Sequence, residues 1–261
     1  MHELKGRRAL VCGGSRGIGR ACAEDLASRG AAVTVLARDG ALLKEVAAHL
    51  DAAAGQSHEA LVADLSDAAA AAARVAECVE RAGPIHILVN NTGGPPSGAL
   101  LDATPEDFLS AIGRHVGAAH RLVQTLLPGM REAGYGRIIN IVSTSVLAPI
   151  PGLGVSNTTR AAVANWARTL AHELGPHGVT VNNVLPGFTD TERLRELIEV
   201  TAERMGAEAD ALAEAWRADI PARRFADPAE IGVVVGFLAT PAAGYVSGVN
   251  LPVDGARTVA R

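Results

Sequence analysis

Short, unbroken apolar runs alternate along the chain with longer Ala-rich segments whose apolar residues recur at helical spacing. The runs Ala9 to Cys12, Ala31 to Leu36, Ala60 to Ala63, Ile85 to Val89, Arg137 to Ser143 and Val179 to Leu185 are predicted strands. Their hydrophobic positions are consecutive rather than alternate, which implies burial on both faces and hence a parallel sheet covered by helices. Between them, Gly19 to Arg29, Gly40 to Ala54, Asp67 to Arg81, Thr104 to Met130 and Ser156 to Gly175 are predicted helices. Thr104-Pro105-Glu106 is a typical helix start, with Pro at the first helical position. This β-α-β-α order predicts a doubly wound α/β fold with right-handed crossovers.

After Val179 to Leu185 the alternation stops, and residues 188–222 are polar, charged and helical in period, ending at Ile220-Pro221. Ligands of open α/β sheets bind beyond the carboxyl ends of the strands, so this excursion is a candidate substrate lid. The other reading of it is a solvated helix pair with no gating role. No Pro/Gly/Ser linker, composition break or internal repeat divides the chain, so residues 1–261 are expected to form one domain.

Composition removes several function classes. With 48% hydrophobic and 20% charged residues the chain is globular rather than disordered or fibrous. Its 24 Lys and Arg against 28 Asp and Glu give a net charge of −4, and the basic residues are scattered. No electrostatic footprint for nucleic acid or an anionic membrane results. Cys12, Cys22 and Cys78 form no CxxC pair and are odd in number, as expected in a reducing compartment and not for a disulfide framework or a zinc site. No apolar stretch has the length of a signal peptide or a membrane span, so a cytoplasmic protein is expected.

The first predicted strand runs directly into Cys12-Gly13-Gly14-Ser15-Arg16-Gly17-Ile18-Gly19 and then a helix. Glycine in such a turn permits positive φ and a close approach of backbone N–H groups to a pyrophosphate, and the helix N-terminus adds partial positive charge. The spacing is G-x3-G-x-G, so the strand and helix around it carry the argument as much as the glycines do. At the end of the second strand, Leu36-Ala37-Arg38 places an arginine where an acidic residue would bind a ribose 2′-hydroxyl. Arg38 with Arg16 therefore favours the 2′-phosphate of NADP over NAD, although Asp39 lies within reach of a ribose hydroxyl.

These residues occur in order with Asp64-Leu65, Asn90-Asn91-Thr92-Gly93, Pro186-Gly187, Thr191 and Val253-Asp254-Gly255. From about residue 5 to about residue 257 the chain resembles the short-chain dehydrogenase/reductase family, whose members have a Rossmann fold. The resemblance implies that Asp64 and Leu65 flank the adenine of the cofactor. It likewise places Asn90 and Gly93 on the adenosine and ribose side, and Thr191 at the nicotinamide carboxamide. It also implies a homotetramer or homodimer.

The resemblance breaks at the catalytic set, normally Asn, Ser, Tyr and Lys. Ser143 matches the serine, but thirteen residues on stands Ser156 in place of tyrosine, and four further is Arg160 in place of lysine. His115 occupies the asparagine position. The only lysines, Lys5 and Lys44, and the only tyrosines, Tyr135 and Tyr245, lie elsewhere in the sequence. A serine is too weak an acid to protonate an alkoxide at neutral pH, and an arginine stays protonated and cannot relay a proton. His115 is the one side chain at these four positions that titrates near pH 7; it is expected beside Ser143, as a base or hydrogen-bond donor held neutral by Arg160, the other reading being a packed or solvated helix histidine.

The expected function is an NADP-dependent oxidoreductase for a small organic carbonyl, imine or enone, with Ser143, His115, Ser156 and Arg160 as its active residues. The expected cofactor cradle is Gly13, Ser15, Arg16, Gly17, Ile18, Gly19, Arg38, Asp64, Leu65, Asn90, Gly93, Arg160, Pro186, Gly187 and Thr191. The alternatives are a non-redox lyase, isomerase or cyclase on the same fold, or a catalytically inactive NADP-binding protein.

Overall fold

The structure, a computed structural model, describes residues 2–259. Seven strands form one sheet in the order β3-β2-β1-β4-β5-β6-β7. They are β1 (Arg8–Cys12), β2 (Ala32–Ala37), β3 (Glu59–Val62), β4 (Ile87–Asn90), β5 (Gly136–Ile141), β6 (Val179–Pro186) and β7 (Asn250–Val253). Every pairing is parallel. The order reverses at β1, with β2 on one side and β4 on the other, so the loops that leave these strands diverge and open a crevice.

Alternate residues of each strand feed two separate cores. Ala9 and Val11 pack with Cys22 and Leu26 of α1 (Gly17–Ser28), Leu43 of α2 (Gly40–His49) and Ile231 and Val235 of α9 (Pro228–Ala239). Leu10 and Cys12 face the other way, into a cluster with Val75 of α3 (Ala68–Ala82), Leu122 of α5 (Ala118–Glu132) and Leu170 of α6 (Gly154–Leu174). Two-sided burial is the physical reason for the unbroken apolar runs in the sequence.

A buried polar chain crosses four strands. Asn90 donates to Asn140 at 2.8 Å, Asn140 to Asn183 at 2.9 Å, and Asn183 to Asn250 at 2.8 Å. These four residues are direct register partners on β4, β5, β6 and β7. Each amide thus satisfies the next, which is how polar groups persist inside a sheet.

Three sequence expectations change. The helix expected over Thr104 to Met130 is two helices, α4 (Pro105–Ile112) and α5, joined by a π-helical turn at Gly113–Gly117. Such turns carry an extra residue per hydrogen-bonded ring and re-aim the side chains on them. The seventh strand β7 and helix α9 were not among the predicted elements: β7 is four residues with an internal Pro, and α9, although Asp227, Pro228 and Glu230 form a capping box at its start, is apolar nearly all round. Finally, α2 ends at His49 rather than Ala54.

The 188–222 excursion forms α7 (Glu192–Met205) and α8 (Ala209–Ala218). These helices have their own small core of Leu194, Ile198, Ala202, Leu212 and Ala213. Phe188 stacks on Trp216 with ring centroids 4.7 Å apart and closes one end of it. Among the described residues, no helix is long and apolar enough to cross a membrane.

Candidate active site

The crevice at the order reversal is a groove with two connected parts. The first, about 610 Å³, is bordered by Gly13, Ser15, Arg16, Arg38, Asp64 and Leu65. The second, about 900 Å³, extends past Ile18, Ser143, Ser156 and Arg160 to Pro186, Gly187 and Thr191. Gly93 and Asn91 border both.

The turn between β1 and α1 requires its glycines. Gly13 has φ +60°, and a Cβ on Gly19 would lie 2.1 Å from the Gly13 carbonyl oxygen. Gly19 therefore lets the turn close against the helix and does not itself border the groove. Arg16 at the N-cap makes no side-chain capping bond, so the first N–H groups of α1 remain available to an anion.

At the far end of the first compartment, Arg38 is exposed and has no acidic partner among the described residues. Asp39 is committed elsewhere, because its Oδ1 accepts from Leu42 N at 3.1 Å as the cap of α2. Arg16 donates to Glu192 at 2.7 Å and so ties the turn to the start of α7. The N–H of Ser66, which donates to Asp64 at 2.9 Å, holds the Asp64 carboxyl below the usual range, and the positive charges of Arg38 and Arg114 act in the same direction.

The second compartment brings together Ser143, Ser156 and Arg160. Ser143, two residues past β5, accepts from Ser145 N at 3.1 Å, which leaves its hydroxyl hydrogen free to point at a ligand. Ser156 lies in the first turn of α6 and has no hydrogen-bond partner among the described residues. The next residue, Asn157, pins this turn by donating to the Ile150 carbonyl at 2.9 Å. One turn on, Arg160 is drawn inward: its Nη1 donates to Ile141 O at 2.9 Å and its Nη2 to Thr92 O at 3.3 Å. Burial pushes this guanidinium down to about 10, so it remains a cation at neutral pH. No carboxylate pairs with it among the described residues.

Two expectations about site residues are corrected. His115 is 4% exposed and does not share the groove with Ser143. The π-helical turn carries it inward, where its Nδ1 lies 2.5 Å from Thr92 Oγ1 and its Nε2 is buried without a protein partner. Burial, with help from the cations Arg160 and Arg114, pushes its pKa down to about 3, so the ring is neutral but is not placed to touch a ligand beside Ser143. Asn90 likewise points into the sheet, with its amide on Asn140. As the last residue of β4 it faces opposite to Asn91, whose Nδ2 donates to Gly13 O at 3.3 Å at the groove wall. The doubled asparagine was the available signal, but strand phase decides which of the two faces a ligand. Arg114, which borders the first compartment, was also unassigned; no sequence signal marks it, because the π-helical turn sets its direction.

The absent tyrosine and lysine have no substitute in space. Tyr135 is buried with its ring sandwiched between Arg7 and Arg137, at 4.0 and 4.1 Å, and its hydroxyl donates to Ala239 O. Tyr245 is fully exposed. Neither borders the groove.

A doubly wound parallel sheet, a glycine turn at the point of order reversal and a serine just past β5 together form a dinucleotide-binding scaffold. The chain belongs to the short-chain dehydrogenase/reductase family: residues 13–257 match the family model described as enoyl-(acyl carrier protein) reductase. It is 37% identical over 251 residues to the short-chain reductase protein NovJ of Streptomyces niveus, covering 95% of this chain and 93% of that protein. It is 36% identical to the 3-oxoacyl-[acyl-carrier-protein] reductase FabG of Pseudomonas aeruginosa, covering 97% and 98%. The L-sorbose reductase of Gluconobacter frateurii, solved with NADPH and L-sorbose, superposes with a TM-score of 0.90 at 31% identity and 98% coverage of both chains.

Proposed function

We propose that the protein is an NADP(H)-dependent oxidoreductase acting on a small organic carbonyl, imine or enone with a non-standard catalytic set. The observation that carries this reading is the continuity of the groove from the α1 N-terminus to Ser143, Ser156 and Arg160. The residues present fit the dinucleotide. Free N–H groups at the start of α1 suit the pyrophosphate, Asp64 and Leu65 the adenine, Arg38 and Arg16 the 2′-phosphate, and Thr191 the carboxamide. The NADPH carried by the sorbose reductase, and its small sugar substrate, support both the cofactor and the substrate size.

When bound, NADPH supplies hydride at the nicotinamide ring. The chain's own contribution is positioning: Ser143 donates a hydrogen bond to a substrate oxygen, and Arg160 places a fixed positive charge nearby. Neither delivers a proton, and His115, neutral and enclosed, orders Thr92 rather than the substrate.

The remaining parts of the reading concern setting. Residues 2–259 act as one domain, with α7 and α8 as a lid joined to the glycine turn through Arg16 and Glu192. Exposed Leu101, Leu109, Val233 and Phe237 supply apolar surface for a homodimer or homotetramer in the cytoplasm. Anaerobic mixing with NADPH and NADH, then with candidate carbonyls, imines and enones while nicotinamide absorbance is followed, tests the proposal. Tight NADPH binding with oxidation by at least one class supports it; no binding of either dinucleotide removes it.

A further inference from the structure

From the contact between the glycine turn and the lid we infer that Glu192, the first residue of α7, is a cofactor-selecting residue. It pairs with Arg16, and the 2′-phosphate of NADP(H) draws Arg16 away from it and so unties the lid. The inference rests on the oxidoreductase reading and adds to it a link between the dinucleotide's 2′-phosphate and access to the substrate compartment.

Arg16 borders both compartments of the groove, whereas Glu192 borders only the second. The guanidinium is turned toward that side, with Nη1 2.7 Å from the Glu192 carboxylate. Asp39, at the adenosine end, also raises the Arg16 pKa through its charge, so the same guanidinium lies within electrostatic reach of the end where Arg38 stands. The side chains of Arg16 and Glu192 are 60% and 62% exposed. An ion pair in that much water is weak, while a phosphate dianion offers an arginine shorter and stronger charge-assisted bonds, so the exchange runs toward the phosphate. Glu192 is not stranded by it, because the N-terminus of α7 favours a carboxylate in its first turn. The start of α7 also lies directly across the turn: a Cβ on Gly17 would come 3.1 Å from Thr191 Cγ2, and Thr191 caps α7 by accepting from Leu194 N at 3.3 Å. Among the described residues, Arg16 with Glu192 is the one ion pair that ties the turn to this helix.

The position of α7 matters because it walls the substrate side. Arg193 and Leu197 border the same compartment as Ser143 and Ser156, and Leu194 and Leu197 wall a side cavity of about 180 Å³ beside Ser143. A dinucleotide with a 2′-phosphate takes Arg16 and leaves α7 held only by its packing. A dinucleotide without one leaves the tie in place. By linkage, whatever the pair contributes is subtracted from the affinity for NADP(H) and not from that for NAD(H). Glu192 thus moderates the grip on the phosphorylated cofactor and converts its recognition into a freer lid, so that the substrate enters after NADPH.

The test is a double-mutant cycle read by calorimetric titration with NADP⁺ and NAD⁺ at one fixed ionic strength, for the wild type, Glu192→Gln, Arg16→Gln and the double variant. Glu192→Gln is expected to tighten NADP⁺ by about two- to fivefold, the range that exposed ion pairs span, and to leave NAD⁺ unchanged. In the Arg16→Gln background the same substitution should have no effect on NADP⁺. Tightening that persists without Arg16 would mean that Glu192 merely repels the phosphate, and it overturns the exchange. Equal tightening of both dinucleotides, or no change in either, overturns it as well and leaves the oxidoreductase reading intact. Failure to bind either dinucleotide removes that reading and this inference with it. A second measurement addresses the lid: amide hydrogen exchange in α7, followed by mass spectrometry, should be faster with NADP⁺ bound than with NAD⁺ bound, and Glu192→Gln should erase the difference. Equal exchange in the two wild-type complexes overturns the release of the lid.

Discussion

Thr92 joins His115 to Arg160. Its side-chain oxygen lies 2.5 Å from Nδ1 of His115, and its carbonyl accepts from Arg160. The histidine is thereby fixed behind the groove wall, next to a cation and shielded from water, which explains why its pKa falls from the ordinary 6.5 to about 3.

This depression makes stability depend on pH. Between pH 6.5 and about 3 the unfolded chain protonates His115 and the folded chain does not, so acid favours unfolding. His115 should contribute a loss of about 1.4 kcal/mol per pH unit across that window, and nothing above pH 7. Equilibrium urea unfolding of the wild type and of His115→Gln, repeated across the window, checks this: the variant should have the shallower acid slope. Parallel slopes would show that the ring is solvated and titrates normally.

Cofactor preference should follow Arg38. The guanidinium has no ion-pair partner among the described residues, and Asp39 is occupied as a helix cap. Arg38→Ala is expected to weaken NADPH by about tenfold to a hundredfold, the loss of a charged hydrogen bond, while NADH changes little. Dissociation constants from fluorescence titration read the difference. An equal loss for both dinucleotides would place Arg38 away from the 2′-phosphate.

Ketone reduction should be limited by the missing acid. Ser156→Tyr with Arg160→Lys supplies a phenol and an ammonium one helical turn apart on α6, and ketone turnover is expected to rise by about tenfold or more. The two changes are needed together, because a phenol without a nearby cation keeps a pKa of about 10. The comparison is the rate of NADPH oxidation with a simple ketone. Rapid ketone turnover by the unaltered protein would show that the replacements are no handicap.

The asparagine chain should stabilise the sheet as a unit. Asn140→Leu removes the acceptor for Asn90 and the donor to Asn183, leaving two buried groups unpaired at a cost of about 2–4 kcal/mol. The urea midpoint should fall with an unchanged m value. A shift below about 0.5 kcal/mol, within the range of a neutral surface change, would mean that the neighbours find other partners.

By itself, the sequence determined the parallel α/β class, the strand and helix order through β6, and the glycine turn with its cofactor. Those are local properties: consecutive apolar residues, glycines that no other residue replaces, and replacements at known spacings such as Ser156 and Arg160. Tertiary structure decided the rest. Whether Asn90 or Asn91 meets a ligand depends on strand phase at the end of β4, and the buried amide chain beyond it depends on register among strands distant in sequence. The place of His115 depends on a π-helical turn, which leaves no mark in the amphipathic period. β7 and α9 draw their stability from neighbours that cover them: a four-residue strand with a proline carries little pattern of its own, and α9, beyond its capping-box start at Asp227 and Glu230, shows no amphipathic period. That Arg160 turns to the carbonyls of Ile141 and Thr92, with no ion pair among the described residues, is a tertiary fact too, because only the packed chain brings those carbonyls to it.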